Sequence, residues 1–148
     1  MTAAIARKFC TFTLDGQWFG VDVGQVQEVL TQRDITPVPL APEAVRGLIN
    51  LRGQIVTAFD LRRCLDMPPL QPGRHPANLV IRSGSEAVSL LVDEVGDVVE
   101  TLEETFERPP ATLDGRAREM IRGAHKLGEG LLLVLDTDRA LEGASEGR

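Results

Sequence analysis

The sequence predicts a mainly β fold made of two small, related barrel-like lobes with short helices, and three observations carry that expectation. Short apolar runs alternate with period two and are bounded by turn signals such as Asp15-Gly16, Arg52-Gly53 and Ser83-Gly84. Met67 to Pro76 holds four prolines and one glycine, a linker composition that splits the chain. The stretches on either side of it repeat one another in order.

Phe9 to Leu14 has the alternation of a half-buried strand, Asp15-Gly16 supplies a turn, and Trp18 to Val23 returns. Val23, Val26, Val29 and Leu30 then recur at helical spacing, which predicts a short amphipathic helix or one broad turn. Ile35 to Leu40 carries two prolines and reads as an edge strand or extended connector. Pro42-Glu43-Ala44 suits the first turn of a short helix. Leu48 to Leu51 and Gln54 to Phe59 are strands meeting at Arg52-Gly53, and Asp60 caps a helix over Leu61 to Leu65. Beyond the linker, Leu79 to Ile81, Ala87 to Val92, Gly96 to Thr101, Glu119 to Leu127 and Gly130 to Leu135 read as strands. Glu103 to Thr112 is a surface loop, Asp138 to Leu141 opens a terminal helix, and the chain ends should fray.

Composition narrows the function. With 16 basic and 22 acidic residues the net charge is −6, and no basic run occurs, which argues against a nucleic-acid backbone as partner. No apolar run approaches the ~20 residues of a membrane span and the N-terminus lacks a signal-peptide core, so direct membrane insertion is not expected and the reading is cytoplasmic. Cys10 and Cys64 lack metal-ligand spacing, and Cys10 alternates with Phe12 and Leu14 as a buried thiol would. His75 and His125 have no nucleophile or ligand partner at a useful spacing, and no glycine-rich phosphate loop is present. No cofactor, metal or catalytic residue is therefore expected, and a small metal-dependent enzyme is a remote alternative.

The repeat sharpens the search for a site. Val21-Asp22-Val23-Gly24-Gln25-Val26 echoes Val92-Asp93-Glu94-Val95-Gly96-Asp97-Val98 with one insertion. Arg46-Gly47, Leu51, Asp60, Arg63 and Leu65 match Arg122-Gly123, Leu127, Asp136, Arg139 and Leu141 at a constant offset. Structural positions should recur in both copies, whereas functional ones need not. Asp22 and Asp93 recur and read as structural caps. Arg52-Gly53 becomes Gly128-Glu129, so the fold does not require an arginine at that hairpin corner. A guanidinium bonds bidentately and stacks, which makes Arg52 the leading contact residue, with pairing to Glu28 or Asp60 as the structural alternative.

Gly47-Leu-Ile-Asn-Leu-Arg-Gly-Gln-Ile-Val-Thr-Ala-Phe-Asp-Leu-Arg62 resembles the Gly-x-x-Asn-Leu-Arg-Gly-x-Ile-x-Pro-x-x-Asp-Leu-Arg signature of the CheW family. Phe12-Thr-Leu14, Gly20 to Val29, Leu91-Val-Asp-Glu-Val95 and Leu132-Leu-Val-Leu-Asp136 are similar to that family's other segments, so the resemblance spans roughly Lys8 to Leu141. It implies one domain of two SH3-like β-barrel lobes, near 8–66 and 77–135, joined by the 67–76 linker with the terminal helix packing back. It implies a non-catalytic chemotaxis adaptor bridging the cytoplasmic tip of methyl-accepting chemoreceptors to the CheA-type histidine kinase. Matched residue by residue, receptor contact falls on Val26, Glu28, Val29, Gly47, Asn50, Arg52, Val88 and Ser89. The kinase's regulatory domain would meet Ile35, Thr36, Pro37 and Val38. A paralogue serving a pilus or second-messenger pathway is the alternative within this class. One departure stands out: Thr57 occupies the place of the family's usual proline and restores an N–H to the return strand.

Overall fold

The computed structural model describes residues 6–31, 33–111, 113, 115–128 and 130–145; the expected frayed ends and Glu129 fall outside this range. Ala6–Leu14 (β1) and Gln17–Asp22 (β2) form a hairpin across Asp15-Gly16, whose φ angles of 53° and 80° are both positive, as a primed turn requires. One 3-10 turn, Val23–Gln25, leads into Val26–Leu30 (β3). Val45–Leu51 (β4) and Gln54–Asp60 (β5) flank Arg52-Gly53, and Leu61–Cys64 (α1) follows, with the Asp60 carboxylate accepting from the Arg63 N–H. Residues 67–76 hold no regular element. Ala77–Ser83 (β6), Glu86–Val92 (β7), Glu94–Leu102 (β8), Phe106–Glu107 (β9), Gly115–Met120 (α2), Ile121–Leu127 (β10), Gly130–Leu135 (β11) and Thr137–Ser145 (α3) complete the chain.

Four local expectations need correction, the first being the loop expected over Glu103 to Thr112, where a 3-10 turn leads into Phe106–Glu107 because that segment pairs with β10. Val26 to Leu30 is a strand rather than a helix, because it pairs with β6 along the sheet edge, and β-branched valines suit that pleated surface. Pro42-Glu43-Ala44 closes as a single turn, with the Val45 N–H donating to the Pro42 carbonyl, because the chain must enter β4 at once. Gly115–Met120 is helical, so Glu119 and Met120 end a helix rather than open the strand that begins at Ile121. The remaining strands agree in kind, with ends shifted by up to three residues, as at Ala6 and Val45.

The strands make two sheets, ordered β8-β1-β2-β11-β10-β9 and β3-β6-β7-β5-β4. The mainly β, two-lobed expectation holds, although each sheet remains an open ribbon in its hydrogen-bonded order. The lobes do not follow the division at the linker. The five-stranded sheet is built from β3 through β7, while the other takes β1 and β2 together with β8 through β11. The chain passes between sheets only twice, at Asp22–Gln25 and at Asp93. Each half of the repeat thus lends its first hairpin to the other half's sheet. In both sheets that lent hairpin joins through one parallel pair, β2 with β11 and β7 with β5. Thr57 lies in register with Leu48 on one side and Val88 on the other, so the strand that carries it is paired on both edges there.

Central strands are buried on both faces, and their alternation divides the core. Cys10, Phe12, Leu14, Phe19, Val21, Leu79, Ile81, Leu90, Leu133 and Leu135 form one layer shared by the two sheets. The opposite faces line separate interiors. One holds Ile49, Leu51, Val56, Ala58, Val80 and Leu91; the other holds Phe9, Leu132 and Val134. Phe12 and Phe19 face each other across the hairpin with ring centroids 5.6 Å apart. Both cysteines are buried and free, and burial pushes the Cys64 thiol up to about 12, so neither is a ready nucleophile. The terminal helix α3 packs against α1 and α2.

The repeat is visible in detail. Arg46 pairs with Asp60 at 3.0 Å and Arg122 with Asp136 at 3.6 Å. The Asp60 N–H donates to the Ala44 carbonyl at 2.7 Å, and the Asp136 N–H to the Met120 carbonyl at 2.8 Å. Gly47 and Gly123 both stand at β-bulges where another segment crosses closely. A Cβ on Gly47 would collide with the Thr36 carbonyl, and one on Gly123 with the Glu107 carbonyl.

Gly47→Ala and Gly123→Ala should each lower stability by roughly 2–3 kcal/mol in urea unfolding, since backbone must move to admit the methyl. A second expectation concerns acid. Burial presses the Asp93 carboxyl upward, yet the Arg62 fork, the Asp15 N–H and nearby guanidiniums together hold it below the usual carboxylate range. A depressed carboxylate contributes stability above its unfolded pKa and loses it as pH falls through the folded value. The urea midpoint should therefore drop below about pH 4, with a shallower fall in Asp93→Asn.

Candidate partner-binding site

Among the described residues Arg52 is the only basic residue at a positive φ. Arg52 has φ 53° and Gly53 φ 85°, a primed turn in which asparagine or glycine is the ordinary first residue. A non-glycine side chain there costs roughly 1–2 kcal/mol of backbone strain. The Asn50 side-chain carbonyl accepts from the Gly53 N–H at 2.8 Å and steadies the corner. The Arg52 side chain thus stands on a backbone that local preference does not favour.

That side chain reaches across the sheet. The guanidinium donates through Nη1 to Glu28 Oε1 at 3.1 Å and through Nη2 to Oε2, a two-pronged ion pair. Glu28 lies on β3 and Arg52 directly follows β4, the two outer strands of a five-stranded order. In a flat sheet those edges would stand about 19 Å apart, four spacings of ~4.8 Å. The pair therefore shows how far the sheet has rolled, and it spans the seam. The connector closes the same seam nearby, where the Thr36 and Leu48 N–H groups donate to each other's carbonyls at 2.8 Å. Arg52 remains 69% exposed in its side chain and Glu28 21%. The Arg52 hydrogen bond, offset only in part by desolvation, holds the Glu28 carboxyl below the usual range.

The other expected contact residues divide. Val29 is exposed on β3, Val26 is half-buried beside it, and Asn50 is exposed at the corner. Gly47 is buried and acts through its backbone, under Thr36. Val88 and Ser89 are not surface residues: β7 is the middle strand, Val88 joins the shared core and the Ser89 hydroxyl donates to Asn78 Oδ1 at 2.9 Å. Their expected contact role is corrected to a structural one, because both side chains are buried, Val88 against the shared core and Ser89 on Asn78. Ile35 packs into the five-stranded lobe, while Thr36, Pro37 and Val38 are exposed along the connector.

Chemistry elsewhere is quiet. His125 is buried between Phe9 and Phe106 at 5.6 and 5.2 Å, beside a cleft of about 270 Å³ that Arg7, Gln25 and Arg122 also line. The Thr105 hydroxyl donates to the Leu102 carbonyl at 2.8 Å, so His125 Nδ1–H donates to Thr105 at 2.7 Å. Burial, with help from Arg7, lowers the imidazole pKa and keeps it neutral. Among the described residues no group of three or more His, Cys, Asp or Glu side chains could hold a metal ion. No helix among them is long and apolar enough to cross a membrane.

Residues 8–145 match the CheW-like domain. The chain belongs to the CheW-like family. It is 29% identical over 137 residues to the chemotaxis protein CheW of Klebsiella aerogenes, covering 93% of this chain and 82% of that one. To the CheW of Thermotoga maritima it is 29% identical over 132 residues, covering 89% and 85%. The crystal structure of the scaffolding protein TtCheW from Thermoanaerobacter tengcongensis superposes with a TM-score of 0.79 at 25% identity, covering 88% of this chain and 89% of that one. CheW-like domains are non-catalytic adaptors.

Replacing Arg52 with Asn tests the pair without disturbing the turn, because asparagine accepts positive φ. In an NMR titration the Glu28 carboxyl of Arg52→Asn should titrate at higher pH than in the parent chain, with the thermal midpoint no lower.

Proposed function

We propose that this CheW-like chain couples methyl-accepting chemoreceptors to a CheA-type histidine kinase. One observation carries the reading: an arginine held against its backbone preference, paired to Glu28 yet largely exposed, beside Val29 at the seam of one lobe. A helical receptor tip offers apolar ridges and side-chain oxygens. A fixed guanidinium with free N–H directions supplies orientation, and the flanking valines supply apolar contact. Glu28 holds the guanidinium plane in place before the partner arrives, which lowers the ordering cost of binding.

The exposed Thr36-Pro37-Val38 connector lies beyond the Thr36–Leu48 bridge on the same lobe, and it serves as the kinase-facing surface. With partners at both places, the adaptor transmits a receptor displacement as a bias on the kinase's active state. The receptor face reduces to Val26, Glu28, Val29, Asn50 and Arg52, with Gly47 shaping the backbone beneath them.

The test is co-sedimentation of the chain with receptor-tip fragments and kinase, followed by receptor-dependent phosphorylation. The parent chain should join both partners, and Arg52→Asn should lose receptor-dependent activation by on the order of tenfold while still binding kinase. Absence of a ternary complex with the parent chain, or full activation by Arg52→Asn, would refute the role given to this corner.

A further inference from the structure

The two passages between sheets are built to one plan, and they differ in one respect. Each brings together the crossing segment, the helix that ends a lobe, and the hairpin lent by the other half. At the Val23–Gln25 crossing, Gln25 Nε2 donates to Thr137 Oγ1 at 3.0 Å, and the Ser83 hydroxyl donates to Asp138 Oδ1 at 3.3 Å. Asp22 there only caps its own turn, accepting from the Gly24 N–H at 2.8 Å. At the Asp93 crossing the junction is ionic. Arg62 of α1 donates through Nε and Nη2 to the two Asp93 oxygens at 2.7 and 2.6 Å. Its Nη1 donates to the Pro68 carbonyl at 2.6 Å, and Asp15 of the lent hairpin stands 3.5 Å away. The Asp15 N–H also donates to Asp93 Oδ2 at 2.8 Å, and the Asp93 N–H to the Thr13 carbonyl at 3.1 Å.

Only 10% of each of the Arg62 and Asp93 side chains is exposed. A buried ion pair is weak evidence for stability, since desolvation offsets much of the attraction; its best-attested use is to fix one geometry among several. The equivalent of Arg62 in the second copy is Asp138, so the repeat does not need a guanidinium at a crossing. The Arg46–Asp60 and Arg122–Asp136 pairs recur in both copies and hold each lobe together internally. The Arg62 fork does not recur, and its bonds run from a helix of one lobe to a crossing and a turn belonging to the other. One bidentate pair and a carbonyl set direction as well as distance, which the single bonds at the other crossing, one of them to the Asp138 carboxylate, do not.

We propose that the Arg62–Asp93 junction is the pivot that fixes how the two sheets are oriented, and that signal transmission through the adaptor depends on this orientation. Arg62 is a positioning residue and touches neither partner. The Gln25 crossing, held by single hydrogen bonds without a guanidinium fork, is the compliant one, and it immediately precedes β3, which carries Glu28 and Val29. Force applied at the Arg52 corner reaches the compliant crossing first, and the ionic crossing converts it into rotation rather than sliding. The functional half of the inference rests on the coupling role proposed above; the orientational half is a property of the free chain.

The test uses the full chain with Arg62→Met and Asp93→Leu together, which removes both charges and leaves neither one buried alone. Urea unfolding should show no large loss of stability. Backbone residual dipolar couplings should fit the parent chain with one alignment for both sheets, and the double variant with different or averaged alignments. Affinities for a receptor-tip fragment and for the kinase regulatory domain, measured separately, should stay within about twofold, while receptor-dependent kinase activation falls on the order of tenfold. If the double variant does not fold, Arg62→Lys, which keeps the charge and loses the fork, carries the same measurements. A single common alignment in the folded variant, or undiminished activation, overturns the pivot. Failure of the parent chain to activate kinase would instead strike the coupling role and leave the alignment result standing.

Discussion

The apolar layer between the two sheets is the constraint on which the rest of the structure depends. Phe12, Phe19, Leu61, Leu79, Ile81 and Leu90 are all at or near zero exposure, and they come from both sheets and from α1. Neither lobe could bury that face alone. At roughly 25 cal/mol per Å² of apolar surface, losing the layer would cost more than the net stability of an ordinary domain. The sheets must therefore stay together, and what varies is the angle at which they do so. That angle is where polar chemistry enters, at the two crossings.

Repeat and asymmetry together explain the distribution of charged pairs. Pairs that hold a lobe's own hairpin to its helix occur twice, as Arg46–Asp60 and Arg122–Asp136. Within the matched stretch from Arg46 to Leu65 two arginines have no counterpart in the second copy: Arg52, whose place is taken by Gly128, and Arg62, whose place is taken by Asp138. One faces solvent with a single carboxylate at its side, and the other is buried among three acceptors. Both lie outside what two copies of the fold demand, which is why function is sought in them. The buried histidine meets the opposite fate: its ring nitrogens face threonine hydroxyls between aromatic rings, so its polar atoms serve packing.

Local chemistry made much of this visible in the chain. Asp15-Gly16 and Arg52-Gly53 are turns because of the φ angles they must adopt, and Asp60 caps because its carboxylate can reach Arg63. The Glu28 partner of Arg52 was one of two candidates until the sheet rolled and brought opposite edges within reach. Val26 to Leu30 misleads because valines at helical spacing fit either structure, and only β6 beside them decides for a strand. Val88 and Ser89 mislead for a related reason: a strand of small and branched residues does not reveal that it has neighbours on both sides. The Arg62–Asp93 junction left a faint trace, a charged residue in each of two apolar motifs, and nothing in the order of residues joins the two.

By itself the sequence determined the fold class, the turns, the caps, the repeat and the singular arginine, because each rests on contacts within a few residues or on comparison of one half with the other. Only the tertiary structure decided which strands share a sheet, where the lobes divide, which expected contacts are buried, and which carboxylate each arginine holds. Those outcomes depend on pairings between residues far apart in the chain, such as β1 with β8 and α1 with the Asp93 crossing. The hairpins are exchanged because either copy's hairpin satisfies the same edge. Alternation alone cannot say whose edge it will be.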